Sequence, residues 1–213
     1  MRRIAVIAIV FATVLIPQLA SAHQPWFNTG TPDLAEPFDL PVPITTSQVL
    51  FSGFSDADQI DFYRFRAPKE HPLEIRLVVA DDPACAEFQP AFAIVGPGIT
   101  PDPTTADLVG VPELPVEFAD ARIVSGAEWG TFFEPFSRTT FVTGPELRTS
   151  LDGGVYLIAV FDPTGGAGTY GVSINGAETR GGEPEYDRLF PAWKACAPVR
   201  TEGETNYFDP SGL

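Results

Sequence analysis

The chain has 213 residues, a formal net charge of −15 and only 13 Lys or Arg. So few cations cannot neutralise a row of phosphates, which excludes a nucleic-acid partner and disfavours an anionic membrane surface. Hydrophobic residues make up 44% of the chain, and 22 prolines and 19 glycines punctuate it, so a real core of short elements between many turns is expected, an all-β pattern rather than a disordered one.

Residues 1–22, MRRIAVIAIVFATVLIPQLASA, read as a secretory signal peptide. Arg2 and Arg3 give the positive start, residues 4–16 the apolar run, and Ala20-Ser21-Ala22 the small-residue cleavage site. That run is short for a span, and no later stretch is long and apolar enough for one. The expectation is an exported protein, periplasmic or extracellular, with no membrane span after cleavage.

Cleavage after Ala22 makes His23 the new N-terminus. A terminal amine and the Nδ1 of its own imidazole chelate one metal as a ring, and a further imidazole completes the planar nitrogen set that Cu(II) favours. In this one residue the chain resembles the histidine brace of lytic polysaccharide monooxygenases and CopC-like copper proteins, which implies copper, carried or, less readily, used in oxidation. The one other histidine, His71, and the carboxylate of Glu134 are the candidate partners of His23. The plainer alternative is a leader that happens to end before a histidine, with His71 an exposed loop residue.

Residues 23–43 form an extended arm with five prolines between residues 24 and 46 and no usable period. Trp26, Phe27 and Phe38 anchor it by apolar burial. A first short strand is expected around Val49-Leu50-Phe51, then a turn over residues 52–60. From Asp61 the pattern alternates, with Tyr63, Phe65 and Ala67 to one side and Phe62, Arg64 and Arg66 to the other. After a polar turn, Leu73, Ile75, Leu77 and Val79 alternate with Glu74, Arg76 and Val78, and the two runs read as an antiparallel hairpin. Asp56, Asp58 and Asp61 are either the start of a calcium loop or turn residues capping their own backbone amides.

Two stretches resemble the bacterial pre-peptidase C-terminal domain family. The first is Asp58/Asp61-Phe62-Tyr63-Arg64-Phe65 followed by the aliphatic run at 73–79. The second is Gly154-Val155-Tyr156-Leu157-Ile158-Ala159-Val160 with Gly168-Thr169-Tyr170-Gly171-Val172. The resemblance covers residues 44–176 with a longer middle than usual. It implies an antiparallel, jelly-roll-like β-sandwich and a non-catalytic accessory role in a secreted protein.

Farther along, residues 92–95 are a strand candidate ended by Gly96-Pro97-Gly98. Residues 97–115 read as a surface excursion, with short strands at 116–118 and 121–124. Residues 129–142, WGTFFEPFSRTTFV, crowd five aromatics around Glu134 and Arg138. They are core filling or, on a β-sandwich surface, a platform for a ligand such as a sugar ring. On the second alternative Trp26, Trp129, Phe133 and Arg138 are ligand-binding candidates, while Glu134 and Arg138 are expected to pair with each other. Residues 151–161 are apolar on both faces, as in an interior strand.

Residues 177–213 read as an irregular tail that Phe190, Trp193 and Cys196 dock. Two cysteines, Cys85 and Cys196, favour one disulfide in an oxidising compartment over two free thiols on a metal. No hydrolase, zinc-protease, phosphate-loop or dinucleotide motif is present, which leans against an enzyme. Three functions remain: an accessory protein binding a polysaccharide, a protein or calcium; a copper protein built on His23; and a purely structural envelope protein.

Overall fold

Strict alternation sends every second side chain of residues 60–67 into the interior. In the computed structural model, which describes residues 23–103, 110–126 and 128–198, those inward positions are Tyr63, Phe65 and Ala67, all buried. The signal-peptide reading of residues 1–22 lies outside the described residues. Eleven strands are described: β1 (Gln24–Phe27), β2 (Phe38–Asp39), β3 (Gln48–Phe54), β4 (Ile60–Ala67), β5 (His71–Ala80), β6 (Ala91–Val95), β7 (Arg122–Val124), β8 (Gly130–Glu134), β9 (Thr139–Leu151), β10 (Gly154–Phe161) and β11 (Gly168–Ile174), with one helix, α1 (Tyr186–Lys194).

The strands form two sheets, ordered β1-β3-β11-β5-β9-β8 and β2-β4-β10-β6-β7. This is the expected all-β sandwich. The pairings are antiparallel except at two edges, where β1 and β2 join β3 and β4 in parallel. Residues 23–43 are therefore more than an arm laid on the domain, since they supply one edge strand to each sheet. Asp39 and Arg64 fasten β2 to β4 through two hydrogen bonds of 2.7 Å each.

The hairpin expected from residues 61–79 does not form. β4 pairs with β10 in one sheet and β5 with β11 and β9 in the other, so the chain crosses the sandwich between them. Both strands have one apolar face, and facing one another across a shared core buries both faces. Glu70, in the left-handed region at φ 59°, makes the sharp step. Residues 116–118 likewise form a 3₁₀ turn after Pro115 rather than a strand.

A polar knot ties the two sheets at one end. Asp61 on β4, 0% exposed, accepts hydrogen bonds from Ser52 Oγ on β3 (3.0 Å), Tyr170 OH on β11 (2.6 Å) and Gln59 Nε2 (2.6 Å). Tyr63 OH lies in close contact with Tyr170 OH, and Asn28 Nδ2 donates to Ser52 Oγ and Tyr63 OH. Burial, and then the charge of Asp61, push both phenols well above their ordinary range, so both keep their protons. Asp61 is thus an interior acceptor, set apart from Asp56 and Asp58 in the exposed turn.

The segment after residue 177 is not irregular throughout. Tyr186/Phe190 and Leu189/Trp193 fall at i, i+4 spacing, which puts four apolar side chains on one helical face. That face packs on the outer surface of the six-stranded sheet, where Trp193 meets Phe51 with ring centroids 4.5 Å apart. Trp193 Nε1 donates to the carbonyls of Ser52 (2.9 Å) and Tyr170 (3.0 Å). The expected disulfide joins Cys85 to Cys196 with Cα atoms 5.6 Å apart and fastens the end of α1 to the sandwich.

Candidate ligand pocket on the outer face of the six-stranded sheet

Between α1, the β8–β9 hairpin and the N-terminal end of β1 lies a pocket of about 310 Å³. Its floor is the outward face of the sheet: Val49 and Phe51 on β3, Val78 on β5, Phe141 and Thr143 on β9, and Ser173 on β11. These residues share a face by register, since Val78 pairs with Thr143 and Phe51 with the side-chain-free Gly171.

The aromatic end is made by the hairpin and the helix. Glu134 closes the hairpin turn, its carboxylate accepting from the backbone amides of Phe136 (2.8 Å) and Ser137 (2.6 Å). This turn chemistry lifts Phe136 over the pocket, 6.1 Å from the Tyr186 ring, which itself stacks on Phe190 at 4.8 Å. Phe132 and Phe136 remain about half exposed, at 50% and 55%. Burial, then the nearby charges of Glu134 and Asp187, push the Tyr186 phenol far above its usual range.

The polar end is built around His23. Gln24 N donates to Ser47 O at 3.0 Å and fixes the residue at the sheet edge. His23 Nε2 lies 2.8 Å from Asn175 Oδ1, so the ring proton belongs on Nε2 with Asn175 as acceptor. That leaves Nδ1 directed toward the Glu178 carboxylate at 4.0 Å, which also accepts from Ser47 Oγ at 3.0 Å. Glu74 and Arg76 complete this end, and both are neutralised by neighbours. Arg76 pairs with Glu146, and Arg148 bridges Glu146 and Glu74.

Of the residues singled out in the sequence, His23 and Glu134 line this one pocket. His71 does not join them. It pairs with Leu151 on the face that Leu73 and Ile75 turn to the core, opposite to Glu74, and its Nε2 is buried without a hydrogen-bond partner among the described residues. Trp26, in register with Leu50, also faces the core side. Trp129 lies over Gly144, where a Cβ would come within 2.5 Å of its ring, and so packs as structure. Phe133 is exposed but alternates to the other side of β8 from Phe132. Arg138, exposed and in the left-handed region at φ 52°, makes no ion pair among the described residues, because Glu134 is taken by the turn amides.

Among the described residues no group of three His, Cys, Asp or Glu is placed to hold a metal, and no helix is long and apolar enough to cross a membrane. Sequence reading missed Tyr186, Asn175 and Glu178. The first was signalled by its i, i+4 spacing with Phe190, whereas the other two are recruited by strand order alone.

No family model matches the chain, and neither does any curated protein. Among solved structures it is similar to the pre-peptidase C-terminal domain of a collagenase from Bacillus anthracis, at 12% identity and a TM-score of 0.34, over 72% of this chain and 96% of that one. It is also similar to CorA, a surface-associated copper-binding protein important in copper acquisition by Methylomicrobium album BG8, at 10% identity and a TM-score of 0.28, over 73% of this chain and 99% of that one.

Proposed function

We propose that this protein is an exported, non-catalytic binding protein whose ligand sits in the pocket beneath Phe136 and Tyr186. The observation that carries this is the pocket's two-ended composition, with half-exposed aromatic rings at one end and His23, Asn175 and Glu178 at the other. Small-ligand sites combine apolar walls with a few convergent polar groups in this way. Support for binding rather than catalysis comes from the carboxylates, which are engaged in holding the pocket itself: Glu134 by turn amides, Glu74 by Arg148 and Glu178 by Ser47. Export is supported by the leader-like residues 1–22 and by the Cys85–Cys196 disulfide, which suits an oxidising compartment.

The test is calorimetric titration of the chain beginning at His23 with chito- and cello-oligosaccharides, choline and CuCl2. Phe136→Ala is expected to weaken whichever organic ligand binds by about tenfold, as loss of an aromatic anchor does. Phe133→Ala, in the same hairpin but on the side of β8 away from the pocket, leaves affinity unchanged. Equal effects of the two substitutions would remove the pocket from the explanation.

A second reading, copper held at the mature N-terminus, is favoured by one observation: His23 Nδ1 and the Glu178 carboxylate face each other 4.0 Å apart. The amine and Nδ1 of His23 with Glu178 would hold the metal, which has no use for His71. Comparing copper affinity of the chain starting at His23 with that of a chain carrying one extra N-terminal residue tests it. Loss of affinity in the longer chain supports the site, and equal affinity rules out the amine as a ligand.

A further inference from the structure

Resting on the reading of this pocket as a ligand seat, we infer that its ligand class is a small organic ammonium compound, with the cationic head against the exposed rings of Phe132 and Phe136 and beside Glu134. Three features of the site converge on this. The aromatic end presents partly open rings: Phe132 and Phe136 are each about half exposed, and Tyr186, one face of which stacks on Phe190, stands 6.1 Å from Phe136. The exposed face of such a ring attracts a cation, and the attraction strengthens with desolvation.

The charge balance has the matching sign. The groups that line the site are His23, Glu74, Arg76, Glu134 and Glu178, three carboxylates against one guanidinium and, in the chain that begins at His23, one terminal amine at the polar end. Behind them Glu146 and Arg148 offset each other and neutralise Arg76 and Glu74. Neither Glu134 nor Glu178 has a Lys or Arg partner among the described residues, Glu178 faces His23 at 4.0 Å, and Glu134 is close enough to act on the Tyr186 phenol. The backbone amides that hold Glu134 fix its position without supplying a counter-ion. The whole chain, at −15, adds a field that draws cations and repels anions.

Size narrows the class. A volume of about 310 Å³ stands at the small end of ligand pockets. It suits a compact ammonium head with a short polar tail reaching toward Asn175 and Ser173, both of which line the same pocket.

Calorimetry on the full chain beginning at His23 tests this with choline, its neutral carbon isostere dimethylbutanol, and chito-oligosaccharide. Choline is expected to bind and the neutral alcohol to bind at least tenfold more weakly, the preference shrinking with added salt. Phe136→Leu keeps apolar bulk and loses the ring face, and is expected to weaken choline roughly 2- to 30-fold. Glu134→Gln loses the charge and keeps one of the two acceptors of the turn amides, and is expected to weaken choline several-fold and the alcohol less. Phe133→Ala changes neither. Equal binding of choline and the alcohol, or oligosaccharide binding without choline, overturns the ammonium assignment and leaves the pocket a ligand seat. Binding of none of the three at this site, with Phe136→Leu silent throughout, overturns both.

Discussion

Trp193 is where the helix, the sheet and the pocket meet, so its removal has a calculable cost. It is 1% exposed, and its ring lies 4.5 Å from Phe51, 5.7 Å from Phe190 and 5.8 Å from Phe141. Its Nε1–H is shared between two sheet carbonyls, while its own carbonyl accepts from Thr169 Oγ1 at 2.8 Å, a bond that any substitution keeps. Trp193→Ala deletes the buried ring and leaves a cavity, which costs about 3–5 kcal/mol. Trp193→Phe keeps most of the apolar contact and loses the N–H bond, so it costs about 1 kcal/mol for that bond plus a smaller packing term. Against a typical domain stability of about 5–15 kcal/mol, the first change is severe and the second tolerable. Urea unfolding with the disulfide intact, followed by near- and far-ultraviolet circular dichroism, measures both. A loss below about 1 kcal/mol for Trp193→Ala would mean that α1 is not docked on the sheet, and the pocket would then lack its wall.

Two further outcomes follow from the same structure. The Cys85–Cys196 bridge spans a sequence separation of 111, so a Cys85→Ser, Cys196→Ser double variant is expected to lose about 2–5 kcal/mol in urea unfolding, with the loss falling on α1 first in hydrogen exchange. The buried phenols of Tyr63 and Tyr170 are raised above their unfolded value by burial and by Asp61. The folded state therefore holds protons that the unfolded chain releases, so their contribution is complete below the ordinary phenol range near 10 and declines as pH rises above it. Tyrosinate absorbance is expected to appear together with unfolding in alkali. Tyr170→Phe flattens that alkaline decline and destabilises at neutral pH, because Asp61 loses its 2.6 Å donor. Early, reversible ionisation of all tyrosines in the folded state would contradict the buried knot.

Particular residues show how much of this was legible in the chain. The period-two pattern of residues 60–67 marked the strand and its core face but not its partner: Phe65 stacks on Tyr156 with ring centroids 5.2 Å apart, in direct register across β4 and β10. The two cysteines pointed to their bridge. What the chain did not disclose was which sheet each strand enters. A hairpin and a crossing between sheets bury the same alternating residues, so the β4–β5 pattern is compatible with both. The same ambiguity hid the site. His71 was a reasonable partner for His23 by residue type, but its odd-numbered place beside Leu73 and Ile75 directs it to the core side. Glu178 and Asn175 reach His23 only because β11 lies beside β3. The helix was obscured by Pro191, which sits inside it although the apolar i, i+4 spacing is intact.

The most direct test is amide chemical-shift mapping of the ¹⁵N-labelled chain starting at His23, titrated with choline and with chito-oligosaccharide. Perturbations are expected to cluster at Gln24, Phe132, Glu134, Phe136, Ser137, residues 173–178 and Tyr186, with His71 and Phe133 unmoved. Shifts confined to the far side of β8 around Phe133, or to the exposed turn at Asp56 and Asp58, would contradict a ligand seat on the outer face of the six-stranded sheet.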